Sequence, residues 1–188
     1  IGLNSFDVPE TPVNDDGTVK FPRYLISTYS QDQINWLANV ALKNIPEGYQ
    51  IAVVTHAPLP YGYSPSSESK MYNQTIIKGL LDAVATGTSY SGTSSSDTPT
   101  ECQVTIAADF NSQGVRPVVG FFGGHVHQEI IKPLDHFTNC VVLADANIDK
   151  ANVGTINEVG ITVVTVDPTN RKVTLSGLGR ATNRQFTY

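Results

Sequence analysis

Val118-Val119-Gly120-Phe121-Phe122-Gly123-Gly124-His125-Val126-His127 is the stretch on which the fold turns. Its first five positions carry no polar side chain, which reads as a strand buried on both faces of a sheet. The strand runs into two glycines and a His-x-His pair. A second run of the same kind, Ile51-Ala52-Val53-Val54-Thr55, ends directly at His56, and Pro58 and Pro60 forbid further pairing beyond it. Three of the four histidines therefore sit at strand-to-loop junctions. Ligand sites in helix-covered sheets gather beyond the carboxyl ends of the strands, so this reading brings His56, His125 and His127 together across about 70 intervening residues.

Working outward, Ile1-Gly2-Leu3 reads as a strand and residues 8–23, rich in Pro, Asp, Gly and Asn, as an irregular loop. Ser30-Gln31-Asp32-Gln33 has the form of a capping box, in which Ser30 caps the free N–H groups and Gln33 reaches back to the Ser30 N–H. Ile34, Leu37, Ala38, Ala41, Leu42 and Ile45 follow at helical spacing until Pro46 and Gly48. Trp36 is read as core. A second helix runs through Ile76, Ile77, Leu80, Leu81 and Val84. Residues 86–100, dominated by Gly, Ser and Thr, read as a mobile surface loop with little to bury. Later strands are expected over Glu129–Lys132, Cys140–Ala144, Gly160–Val166 and Lys172–Ser176. Asp167-Pro168-Thr169-Asn170-Arg171 forms a hairpin turn between the last two. Helix alternating with strand and then mostly strand is an α/β (α+β) pattern. It predicts one domain over 1–188, with a sheet covered by helices on one side and packed on a second sheet.

Composition narrows the function classes. Forty per cent of the 188 residues are hydrophobic, enough for a packed core, and the net charge of −5 with no basic run gives no footing to nucleic acid. No apolar stretch approaches a membrane span, and no leader or lipidation motif appears, so the compartment stays unassigned. Ile1 in first place points to a longer gene product. Cys102 and Cys140 stand far apart outside any C-x-x-C pair and read as buried thiols. Asn73-Gln74-Thr75 is a chance sequon.

Neutral imidazole is a good ligand for zinc, iron, nickel and copper. In a His-x-His pair past a strand, the two rings need not face the same way, and a tight turn can send them to neighbouring ions. Gly123 and Gly124 would allow close backbone approach and dihedrals closed to other residues, and Pro58 would stiffen the loop that presents His56. Taken alone, His56 reads as a loop histidine bonded to backbone, and His136 as a surface group. Asn147 and Asp149 read as a turn, and Tyr61, Tyr63 and Tyr72 as cover for an edge. Gly177-Leu178-Gly179-Arg180 lacks the spacing of a phosphate loop and reads as a loop after the last strand.

Together, Val53-Val54-Thr55-His56-Ala57-Pro58 and Phe121-Phe122-Gly123-Gly124-His125-Val126-His127 resemble the downstream signatures of the calcineurin-like metallophosphoesterase superfamily. Ile1-Gly2-Leu3-Asn4-Ser5 and Gln33-Ile34-Asn35-Trp36-Leu37 are similar to accessory motifs of the same C-terminal half. The resemblance implies a four-layer α/β/β/α fold, of which this chain is the C-terminal part. It implies that His56 and His125 bind one divalent metal and His127 the other. The pair of ions would be manganese, iron, zinc or similar, and a hydroxide bridging them would attack a phosphate mono- or diester substrate in line.

The family's upstream motifs, Asp-x-His, Gly-Asp-x-x-Asp and Gly-Asn-His, do not occur in this sequence. Three imidazoles without a bridging carboxylate are too few for two ions, so the chain alone is expected to be inert and to hold one ion or none. Sheet edges left open by the absent half favour self-association, which a monomeric sedimentation profile would contradict. A non-catalytic binding or scaffold module of a larger surface or phage-like assembly is the alternative.

Overall fold

The computed structural model describes residues 1–23, 25–65, 69–146 and 149–188. In chain order these carry β1 (Ile26–Ser27), α1 (Gln31–Trp36), β2 (Ile51–Val54), β3 (Lys70–Met71), α2 (Gln74–Thr86), β4 (Ser89–Thr93) and β5 (Thr105–Asp109). They continue with β6 (Val118–Gly123), β7 (Ile130–Pro133), β8 (Thr138–Val141), β9 (Ala144–Ala146), β10 (Val159–Asp167), β11 (Lys172–Gly179) and β12 (Arg184–Thr187). The fold is mixed α/β, mostly strand with two short α-helices among the described residues. No helix among them is long and apolar enough to cross a membrane.

One sheet has the order β2-β6-β8-β7, with the first three strands parallel and β7 antiparallel. All six residues of β6 are buried, as its uninterrupted apolar run requires. The pairing of β2 with β6 slips between Ile51↔Val118 and Ala52↔Gly120, leaving Val119 as a bulge. In consequence Val118 and Phe121 join one core, and Val119 and Phe122 another. The first core also takes Ile76, Ile77, Leu80, Leu81 and Val84 of α2 and Ile34, Leu37 and Ala38 from the first helix. The second joins Cys140 to Val173, Leu175 and Phe186 of the antiparallel sheet β12-β11-β10-β9. Each large apolar side chain buried this way is worth about 1.5–3 kcal/mol.

Several sequence expectations are met. The N-terminal segment lies along β2 through a parallel bridge from Gly2 to Val54. The β10–β11 hairpin closes at Asp167↔Lys172. Both cysteines are free and buried. Asn73 is buried and its amide donates to Thr28 Oγ1, the Tyr29 carbonyl and the Cys102 carbonyl, so the sequon residue serves structure.

Other expectations need correction. Residues 86–100 are not all loop, because β4 pairs with β5 from Ser89↔Asp109 to Thr93↔Thr105. Alternating exposure along β4 shows a strand with one wet face, which a Ser/Thr-rich sequence can supply. The first helix widens after Trp36 into a π-turn over Leu37–Ala41, where the Leu42 N–H donates to the Leu37 carbonyl five residues back. Trp36 is 43% exposed. It stands two residues from Ile34, which places it on nearly the opposite side of the helix. Ser30 does cap the Gln33 N–H at 3.2 Å, but the Gln33 side chain does not return to Ser30. It accepts from the Asn4 N–H at 2.7 Å and donates to the Asn4 carbonyl and Asp7, stitching the N-terminal strand to the helix. The strand expected over Cys140–Ala144 is two strands, β8 and β9, and Gly177–Gly179 is the end of β11 instead of a loop.

Candidate metal centre

The tips of β2 and β6 are pinned side by side. Thr55 N–H donates to the Phe122 carbonyl at 3.0 Å, and Gly124 N–H to the His56 carbonyl at 2.8 Å. Neighbouring parallel strands that end together thus present His56 and His125 at one place, as the apolar runs predict. Gly123 makes this approach possible, since a Cβ there would lie 2.8 Å from both Cα and N of Pro58. Gly124 has no such constraint. The left-handed dihedrals expected of the glycines belong instead to His125 (φ 62°) and His127 (φ 53°). Such conformations cost a residue with a Cβ about 1 kcal/mol or more and cluster at functional sites.

His56 Nε2 and His125 Nδ1 are 3.0 Å apart. Phe6 packs against both rings, at centroid distances of 5.2 and 5.5 Å. Burial, and then the nearby His127, holds the His56 imidazole below its ordinary pKa. Burial, followed by His56 and His127, does the same for His125. The rings therefore favour the neutral form, in which a nitrogen lone pair can bind a metal. His127 does not join the contact between the other two. Its Nδ1 meets Asp145 Oδ2, and Asp145 Oδ1 accepts from Arg180. All three histidines and Asp145 line one cavity of about 410 Å³, whose apolar wall includes Val54, Val164 and Val166. A second cavity of about 240 Å³ is also lined by His125, together with Phe6, Tyr63 and Lys70. Tyr63 thus borders the same cavity as His125.

The donor set fits a metal in part. Two imidazole nitrogens bound to one zinc-sized ion at about 2.0–2.1 Å, with an angle between a right angle and tetrahedral, lie about 2.8–3.4 Å apart. The His56–His125 pair has that spacing. Among the described residues, no three His, Cys, Asp or Glu side chains converge as a complete set of ligands. The chain thus brings two donors for one ion and a third imidazole beside them.

Asp145, Arg180 and Phe6 are the site residues that sequence reading misses. The Ala144-Asp145-Ala146 alternation carries the only local signal, a polar residue in a short strand. His136 is exposed on a turn away from the site. Asp149 caps the 3₁₀ turn Lys150–Asn152, and Asn147 lies outside the described residues.

No family model matches this chain, and neither a curated protein nor a solved structure is significantly similar to it.

Proposed function

We propose that this chain is the C-terminal half of a calcineurin-like, dinuclear-metal phosphoesterase with α/β/β/α layering. In this reading His56 and His125 hold one divalent ion and His127 contributes to a second. The observation that carries the proposal is the 3.0 Å approach of His56 Nε2 and His125 Nδ1 at the tips of adjacent parallel strands, with His127 in the same cavity. Two such ions supply Lewis acidity and an activated water for hydrolysis of a phosphate mono- or diester. The chain's own part is to present imidazoles from the tips of two paired strands, to screen His56 and His125 with Phe6, and to offer the two cavities that His125 borders for the ester's substituents. No bridging carboxylate joins the set among the described residues, and in this reading it comes from a part of the domain outside this sequence.

The alternative is a non-catalytic binding or scaffold module of a larger assembly. Activity separates the two. The chain alone with manganese and a bis-aryl phosphate is expected to give no turnover. The same chain joined to its upstream sequence is expected to turn over, with a loss of at least about a hundredfold on His125→Ala. Turnover by the isolated chain that disappears in His125→Ala refutes the two-part reading. An inactive, metal-free longer protein favours the scaffold.

A further inference from the structure

We propose that Asp145, clamped by Arg180, is a positioning residue that fixes the His127 ring as its Nδ1–H tautomer and so keeps Nε2 as the lone-pair nitrogen in the shared cavity. The inference rests on the phosphoesterase reading only in assigning that lone pair to a metal.

Three pieces of local architecture support it. Asp145 sits mid-strand in β9, directly opposite Gly160 of β10. A Cβ at Gly160 would lie 3.3 Å from both Cγ and Nη1 of Arg180, so the bare glycine leaves the lane along which the arginine reaches Asp145. The turn that launches Arg180 is equally specified. Gly179 has φ +67°, a Cβ there would fall 2.0 Å from the Val159 carbonyl oxygen, and the Arg180 N–H donates to that same carbonyl at 3.0 Å. The Arg180 and Asp145 side chains are each only 18% exposed, so the ion pair is mostly removed from water, while His127 stays 58% exposed.

The chemistry then leaves one arrangement. A guanidinium only donates, and it occupies Asp145 Oδ1. An ionised carboxylate only accepts, so the partner of Oδ2 must bring the proton, and that partner is His127 Nδ1. In the neutral ring the other nitrogen, Nε2, then carries the lone pair. Carboxylate–histidine pairs of this kind orient metal ligands and raise their basicity, and losing the carboxylate costs about 10–100-fold in affinity or activity.

The test reads the tautomer without activity. Long-range ¹H–¹⁵N correlation spectra of the ¹⁵N-labelled, metal-free chain at pH 8 are expected to show His127 as Nδ1–H. In Asp145→Asn, Arg180 holds the amide oxygen, the amide N–H donates to Nδ1, and His127 inverts to Nε2–H. Zinc is expected to shift the His56 and His125 signals in both chains, and in excess to shift His127 weakly in the wild type but not in Asp145→Asn. Should Asp145→Asn fail to fold, Asp145→Ala reads the same quantity, since the ring reverts to the Nε2–H form that a free histidine side chain favours in water. His127 found as Nε2–H in the wild type, or unchanged in both variants, overturns the proposal. A tautomer switch in a chain whose histidines ignore zinc keeps the Asp145 assignment and sinks the metal reading instead.

Discussion

At the scale of single residues, the site is built from backbone that its own side chains disfavour. His125 and His127 both take left-handed dihedrals, where glycine pays no Cβ penalty. Selection for glycine at these positions would make the turn more stable and remove the imidazoles. The cost can be read by comparing two variants that both lack the ring. His125→Gly is expected to unfold at higher urea than His125→Ala, by about 1 kcal/mol. Equal midpoints would mean that the left-handed conformation is not held in solution. The histidines themselves were legible in the sequence because each follows an apolar run that must end where they stand. Asp145 and Arg180 were not. Their meeting depends on the β9–β10 register and on the turn at Gly179, neither of which leaves a local pattern.

At the scale of elements, two adjacent glycines turn out to do different things. In the sequence Gly123 and Gly124 look equivalent, but only Gly123 packs tightly on backbone, where a Cβ would lie 2.8 Å from Pro58. Gly124 would bring its Cβ no nearer than 3.7 Å to the Val142 carbonyl oxygen. Gly123→Ala is therefore expected to lower stability by about 1–3 kcal/mol by pushing the His56 loop off β6. Gly124→Ala is expected to stay within about 0.5 kcal/mol of wild type, as substitutions without a clash do. Paired denaturation curves check both, and similar losses at the two positions would contradict the close packing of Pro58. The strands β2 and β6 and helix α2 follow their apolar spacing closely. Where the reading erred, a long-range partner decided. Gln33 abandons its local cap for Asn4 and Asp7, and β4 forms because β5 offers it a ladder.

Across the whole molecule, helices cover one core and a second sheet covers the other, with the histidine tips at the end of the sheet between them. Burial of three of the molecule's titratable side chains has a pH signature. Burial pushes the Cys140 thiol up to about 11 and the Tyr63 phenol up to about 12, and raises Tyr29 further in the same direction. In each case the folded chain favours the neutral form, so the folded pKa lies above the unfolded one. The stability these groups contribute is full below their unfolded pKa values, about 8.5 for Cys and 10 for Tyr, and drains away as pH rises through 11 and 12. The urea midpoint is therefore expected to hold near pH 8 and to fall by pH 11. A midpoint that does not move between those values would place these groups in water.

Zinc-edge anomalous diffraction from crystals of the chain grown with zinc addresses the centre of this account. A metal peak is expected at bonding distance, about 2.1 Å, from both His56 Nε2 and His125 Nδ1. A peak elsewhere, or none, with those two nitrogens still in direct contact at 3.0 Å, would contradict it.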